Sequence, residues 1–446
     1  MSAASRRTLA ALATAWLLPG CGTYFPVNEP LERWDPDTGY RISGHERADA
    51  SDELLLMVAF SGGGTRAAAF AYGVLEELAV THVEFDGRVR SLFDEIDVAS
   101  GVSGGSFTAA YLGLHGRGLF DDFRERFLEH DVQFGLISRL LLPTNWLKLL
   151  SPYWARSDLA AEYYDARIFE GARFADLQRG FGPFAAIHAT DLTTGSPFAF
   201  VQEQFDYLCS DLSRYPVSRA VAASSAVPLV LSPITLRNYG GCGFEAPDWV
   251  REARFESSVL DRNYVNARNL AGYLEQRRRY VRLVDGVISD NLGVRGPFET
   301  WARRRVERER PPGERARHVV LIIVNAQTTP DVQWDEFDLP LSLSFILDAV
   351  TSAQVNRYNL ETIELLRQSF RAWNSRTRRW DPPQRFSLIE TSFVDVKDPA
   401  ERAYLNRQTT SFNLGEEAVT RLRRAARDAL RADPGFQTLL SRLATD

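Results

Sequence analysis

A chain of 446 residues that is 45% hydrophobic and 25% charged has the composition of a folded protein, which excludes a disordered or low-complexity chain. Its length suits one large α/β domain or two ordinary ones. The net charge of −6 excludes the basic surplus that nucleic-acid binders carry, and the arginine runs at 277–279 and 303–305 are diluted by acids, as on solvated helix faces.

The first residues read as an export signal. Arg6 and Arg7 precede a largely apolar run over 9–18, far shorter than the roughly 20 residues a bilayer span needs. Residues 1–20 are therefore expected to be a signal peptide. Leu18-Pro19-Gly20-Cys21 resembles a bacterial lipobox, with Pro19 where a small or aliphatic residue is usual. That resemblance implies lipidation of Cys21, and Gly22 after it implies an outer-membrane anchor in the cell envelope. The other reading is an ordinary signal peptide and an incidental cysteine, leaving a secreted or periplasmic protein. Residues 21–50 are polar, with Pro26, Pro30, Pro36, Gly39 and Gly44, and read as a tether.

The folded domain is expected over 51–446. Leu54–Phe60 is a continuous apolar run that ends in Ser61-Gly62-Gly63-Gly64, and 67–78 has helical spacing. A strand buried on both faces, a glycine turn and a helix imply a parallel sheet. The pattern recurs at 96–100, which leads through Gly101-Val102-Ser103-Gly104-Gly105 into a helical stretch at 106–114. Further strands are predicted at 184–189, 280–284 and 318–324, and helices at 345–373 and 415–430. The alternation predicts a three-layer α/β/α sandwich with a mostly parallel sheet, its core about 54–330, and added C-terminal helices about 340–446. Cys209 and Cys242 are either a disulfide or two buried thiols. Residues 133–157 contain no acid, carry Arg139, Lys148 and Arg156, and are rich in leucine with Trp146, Tyr153 and Trp154. Such a stretch suits a membrane interface or an acyl-chain pocket, or it packs on the core.

Gly-x-Ser-x-Gly between a strand and a helix exposes a hydroxyl on a sharp turn beside the positive end of the helix dipole. Acyl transfer also needs donors for an oxyanion, and Gly62, Gly63 and Gly64 offer consecutive unobstructed amides. A phosphate loop is excluded because no Gly-Lys-Ser/Thr follows and Ala67 interrupts Gly-x-Gly-x-x-Gly, so no nucleotide is expected. A serine also needs a base. Of the six histidines, His318 begins its strand, at the edge opposite the carboxyl ends where sites of parallel sheets lie. His115 lies twelve residues past Ser103, about 18 Å along a helix at ~1.5 Å per residue. His188 falls within a strand, as a core residue would. Asp285 ends an apolar strand, before Gly286, where a base is needed. The rival acids read differently, Asp191 as a turn-former and Asp290 as a cap or loop-stabiliser.

These blocks resemble the patatin-like phospholipase family. The glycine block matches Gly62-Gly63-Gly64-Thr65-Arg66, the nucleophile block matches 101–105, and the Asp-Gly block matches Asp285-Gly286-Val287. Ala189-Thr190-Asp191-Leu192-Thr193-Thr194-Gly195 and Ala223-Ser224-Ser225-Ala226-Val227-Pro228 also fit, so the likeness spans about 55–300. It implies an α/β/α sandwich and a Ser103–Asp285 dyad of nucleophile and general base, with Gly62 to Gly64 as the oxyanion hole. It further implies hydrolysis of phospholipid or lysophospholipid esters without metal or cofactor. Arg66 is expected to brace the loop or meet a phosphate. Ser61, Ala67 and Val287 depart from the pattern and bear on substrate range. The other expectations are a short-chain esterase or acyltransferase on the same dyad, or an inactive envelope scaffold that binds lipid or a partner.

Overall fold

The computed structural model describes residues 28–45, 50–85, 87–151, 154–228, 230–252, 262–275, 277–295, 316–329 and 343–444. The signal peptide, Cys21 and the 303–305 arginines lie outside the described residues.

Among the described residues eight strands form the central sheet: β1 (Leu54–Phe60), β2 (Ile96–Val102), β3 (Phe184–Asp191), β4 (Ser196–Ala199), β5 (Ile234–Arg237), β6 (Tyr280–Asp285), β7 (His318–Asn325) and β8 (Arg385–Ser392). Their order is β8-β7-β1-β2-β3-β6-β5, with β4 hairpinned onto β3. From β8 to β3 the strands are parallel. Every residue of β3 and β7 is buried, because both faces of the sheet are covered.

Helix α1 (Gly64–Val80) follows β1, and α2 (Gly104–His115) follows β2. Two short helices, α3 (Val132–Leu140) and α4 (Pro143–Leu149), lead to α5 (Arg156–Tyr164), and α6 (Val217–Ser224) precedes β5. The C-terminal part holds the 35-residue α7 (Leu343–Thr377), α8 (Glu416–Ala432) and α9 (Pro434–Leu443). Helix α8 buries a stripe at helical spacing, Ala418, Leu422, Ala425, Ala426 and Ala429, and ion pairs from Arg423 to Glu76 and Arg431 to Glu77 fasten it to α1. Among the described residues no helix is long and apolar enough to cross a membrane.

Two features differ from the sequence reading. Strand β6 is antiparallel to β3. It pairs only with the last three residues of β3 and runs back toward the end of β2, where Gly286 abuts Val102 and the His188 carbonyl. Asp285 thus reaches the carboxyl edge of the parallel strands from outside it. The second difference is the segment read as a tether. Residues 28–45 pack on the domain: Glu29–Pro30 pairs with Ser210–Asp211, and the buried Tyr40 hydroxyl donates to the Ala185 carbonyl and accepts its N–H. Arg41 makes a buried ion pair with Asp206 at 2.7 Å. Cys209 and Cys242 are disulfide-bonded, and their carbonyls accept from Leu31 and Trp34 of this arm.

Candidate active site

Three chain reversals meet at the carboxyl edge of the sheet. Phe60, the last residue of β1, is in register with Gly101 near the end of β2, so the glycine loop and the Ser103 turn lie side by side. Ser103 has φ 50° and ψ −121°, a left-handed conformation costly for a residue with a Cβ. The surrounding glycines allow it. A Cβ on Gly104 would lie 1.9 Å from the Gly64 carbonyl oxygen and 2.7 Å from the Gly64 nitrogen, so only glycine lets the two turns touch.

The Ser103 hydroxyl donates to Asp285 Oδ2 at 2.9 Å, and both residues are buried. The other carboxylate oxygen accepts the Val287 N–H at 3.0 Å. Burial raises the Asp285 carboxyl from 3.8 to about 7, against the lowering effect of the Val287 N–H and the Ser103 hydroxyl. A carboxylate of that basicity on a hydroxyl is suited to take a proton near neutral pH. Its backbone is held too: the Asp285 N–H donates to the Ala226 carbonyl, and its own carbonyl accepts from the Thr190 hydroxyl, which also bonds Ser289.

The glycine loop is fixed by partners that the sequence did not reveal. The Gly62 N–H donates to both the carbonyl and the side-chain oxygen of Asn291, at 3.0 and 3.1 Å. Gly62 therefore differs from its expected part, since its amide is committed to Asn291. A Cβ there would also meet Val287 at 2.3 Å. Val287 fills the space beside the loop. Gly64 opens α1, so its amide has no partner within the helix. Arg66 is buried and donates to the carbonyls of Ala326 and Gln408, bracing the loop against β7 and the C-terminal part. Ser61 adds a further tie by accepting the Ala326 N–H.

Missed entirely was Ser224. Its hydroxyl accepts the Ser103 N–H at 2.9 Å and donates to the His188 carbonyl at 2.6 Å. Ser224 falls within a stretch that matches the family, its only signal, and Asn291 lies four residues past the Asp-Gly block.

The remaining groups fall where expected. His318 pairs in register with Leu54, at the opposite edge. Six strand steps separate it from the Ser103 turn, about 20 Å at ~3.3 Å per residue. His115 ends α2 and stacks on Tyr111. His188 is wholly buried, neither ring nitrogen has a hydrogen-bond partner, and burial lowers it to about 4, so it is neutral. Asp191 accepts from Thr193 N–H at its turn, from the Tyr273 hydroxyl and from Arg278. Asp290 accepts the Arg295 N–H and is raised to about 6 by burial.

Fold and site together define a class: a three-layer α/β protein with a serine–carboxylate pair on a strand–helix turn beside a glycine loop. The chain belongs to the patatin-like phospholipase family, whose sequence model matches residues 58–298, just over half of it. A domain of this family supports hydrolysis of lipid esters. No match is found among curated proteins. Among solved structures, human GIVD cytosolic phospholipase A2 aligns with a TM-score of 0.46 and 14% identity over 88% of this chain, which spans 63% of that protein's length. VipD from Legionella pneumophila aligns with a TM-score of 0.31 and 12% identity over 93% of this chain and 71% of that one.

Proposed function

We propose that the chain hydrolyses acyl esters of phospholipids or lysophospholipids through Ser103 and Asp285. The observation that carries this reading is the 2.9 Å hydrogen bond from the Ser103 hydroxyl to a buried carboxylate raised to about 7. Asp285 Oδ2 takes the hydroxyl proton as Ser103 Oγ attacks the ester carbonyl carbon. The negative oxygen of the tetrahedral intermediate is held by the amides of Gly63 and Gly64, with Gly62 keeping the loop in place through Asn291. The intermediate collapses as Asp285 returns the proton to the leaving alkoxide oxygen, giving acyl-Ser103. Water then attacks that ester as Asp285 again takes a proton, which it returns to Ser103 Oγ as the acyl–oxygen bond breaks and the fatty acid leaves. No step requires a metal or cofactor.

The test is fatty-acid release from phospholipid vesicles. Ser103→Ala and Asp285→Asn should each abolish it, while His318→Ala should leave it unchanged. Full activity in the serine variant would overturn the mechanism. Equal turnover of a short soluble ester and of vesicle lipid would favour a carboxylesterase.

We also propose that Cys21 anchors the protein to the outer membrane of the cell envelope. The disulfide supports an oxidising compartment. Cys21→Ser should move the protein from the membrane to the soluble fraction, and unchanged membrane recovery would refute the anchor.

A further inference from the structure

Helices α3 and α4, joined by Leu141 and Leu142, form a hairpin whose polarity is inverted. A surface helix ordinarily buries its apolar stripe and exposes its charges. Here α3 buries only Val132, and α4 buries nothing. The cationic side chains instead turn onto the protein. Arg139 lies over the Tyr163 ring at 4.2 Å, and Lys148 pairs with Glu162 and lies over Trp154. The side chains left to water are large and apolar: Phe134, Ile137, Leu141, Trp146, Leu147 and Leu150, the last 81% exposed. So many exposed large apolar side chains on two consecutive helices mark an interaction site.

The hairpin is joined to both sides of the active site. At its start, Gln133 N–H donates to the Phe412 carbonyl and Asp131 accepts from Asn413. Neighbouring Ser411 accepts the Thr65 N–H directly behind the glycine loop. Past its end, Ser157 bonds Ser232. From Ser232 the chain leads back to Ala226, whose carbonyl holds the Asp285 N–H. Val227 and Val230 on that connection, and Ile288 beside Val287, are further exposed apolar side chains on the segments that flank Asp285.

We propose that this hairpin is an interfacial docking element that seats the protein on a phospholipid bilayer. The inference rests on the lipid-ester reading above, since such substrates reside in bilayers. Charge favours the same occupant: residues 132–157 hold no acid in a chain of net charge −6, and exposed Arg156 suits phosphate headgroups. Partly inserted leucines supply the apolar part of the binding.

The experiment uses the full chain with Cys21→Ser, so that no lipid anchor contributes, and the triple change Leu141→Ser, Leu147→Ser, Leu150→Ser. These side chains are exposed, so the fold should persist, as a melting curve would check. Sedimentation with vesicles of phosphatidylcholine and phosphatidylglycerol, done in a Ser103→Ala background, should show affinity reduced about tenfold or more. In the active background, fatty-acid release from the same vesicles should fall in parallel, while kcat/KM for a monomeric short-chain ester stays within about twofold. Unchanged vesicle affinity would overturn the proposal, as would a dimer that turns monomeric with vesicle affinity intact, since the hairpin would then contact a second copy. Failure of the hydrolase reading looks different: the parent protein would turn over neither substrate, and the sedimentation arm would still decide the docking.

Discussion

The Ser224 hydroxyl accepts the backbone N–H of Ser103 at 2.9 Å and donates to the carbonyl of His188 at 2.6 Å. This two-bond link ties the strained Ser103 turn to β3, which also borders Asp285 through register with Ala189. Ser224 is thus a positioning residue. Ser224→Ala leaves a buried N–H without its acceptor, a cost of about 1–3 kcal/mol, at a turn that already stores strain. The expected outcome is a kcat lowered about 10- to 100-fold with KM little changed, because misplacement of the nucleophile acts on the transition state. Ser225→Ala is the control, since its hydroxyl bonds the Val221 carbonyl within α6. Steady-state kinetics on a soluble ester would check both, and equal losses would count against the positioning role.

Activity should rise with pH through the Asp285 titration. Proton transfer needs the ionised carboxylate, which burial raises to about 7. The ascending limb of kcat/KM should therefore lie near 7 rather than near the ordinary 3.8. Asp290, raised to about 6, is a second buried carboxyl that must be distinguished. It only accepts loop N–H groups, so Asp290→Asn should leave the limb in place. A limb that moved with Asp290→Asn would reassign the titration.

The same shift implies a stability cost. In the folded chain Asp285 keeps its proton up to about 7, whereas the unfolded carboxyl ionises near 3.8. The unfolded state therefore binds fewer protons between those values, and stability falls as pH rises through that window. Asp285→Asn lacks the titration. Its Tm relative to the parent should climb from pH 4 to about pH 7 and then level off, a gain of a few kcal/mol at most, since each unit is about 1.4 kcal/mol. Paired melting curves across pH would test it, with a constant difference as the contrary result.

How much was legible depends on the range of the interaction. Strands β1, β2, β3 and β7 can be read within a few residues, because a strand covered on both faces is a plain apolar run. Ser103 and Asp285 announce themselves by strand, turn and glycine. The direction of β6 does not, since pattern identifies a strand but not how it enters the sheet. Ser224 and Asn291 act through bonds to residues 121 and 229 positions away, and nothing local marks them. The arm at 28–45 misleads for the same reason. Its prolines and glycines look like a linker, while Tyr40 and Arg41 tie it to Ala185 and Asp206, far away in sequence.

That arm gives the disulfide its part in the fold. The bond joins residues 33 apart, for which loop closure alone contributes about 3–4 kcal/mol. The carbonyls of both cysteines also accept N–H groups of the arm, at Leu31 and Trp34. Loosening the pair should therefore free a distant segment as well. Cys209→Ala with Cys242→Ala is expected to lower Tm by several degrees and to speed proteolysis within 28–45, while the Ser103–Asp285 pair, built on β2 and β6, keeps its activity at 25 °C. Limited proteolysis with mass mapping would read the first effect and ester hydrolysis the second. Cleavage elsewhere with the arm still protected would show that the Glu29–Pro30 pairing, Tyr40 and Arg41 hold the arm without the disulfide.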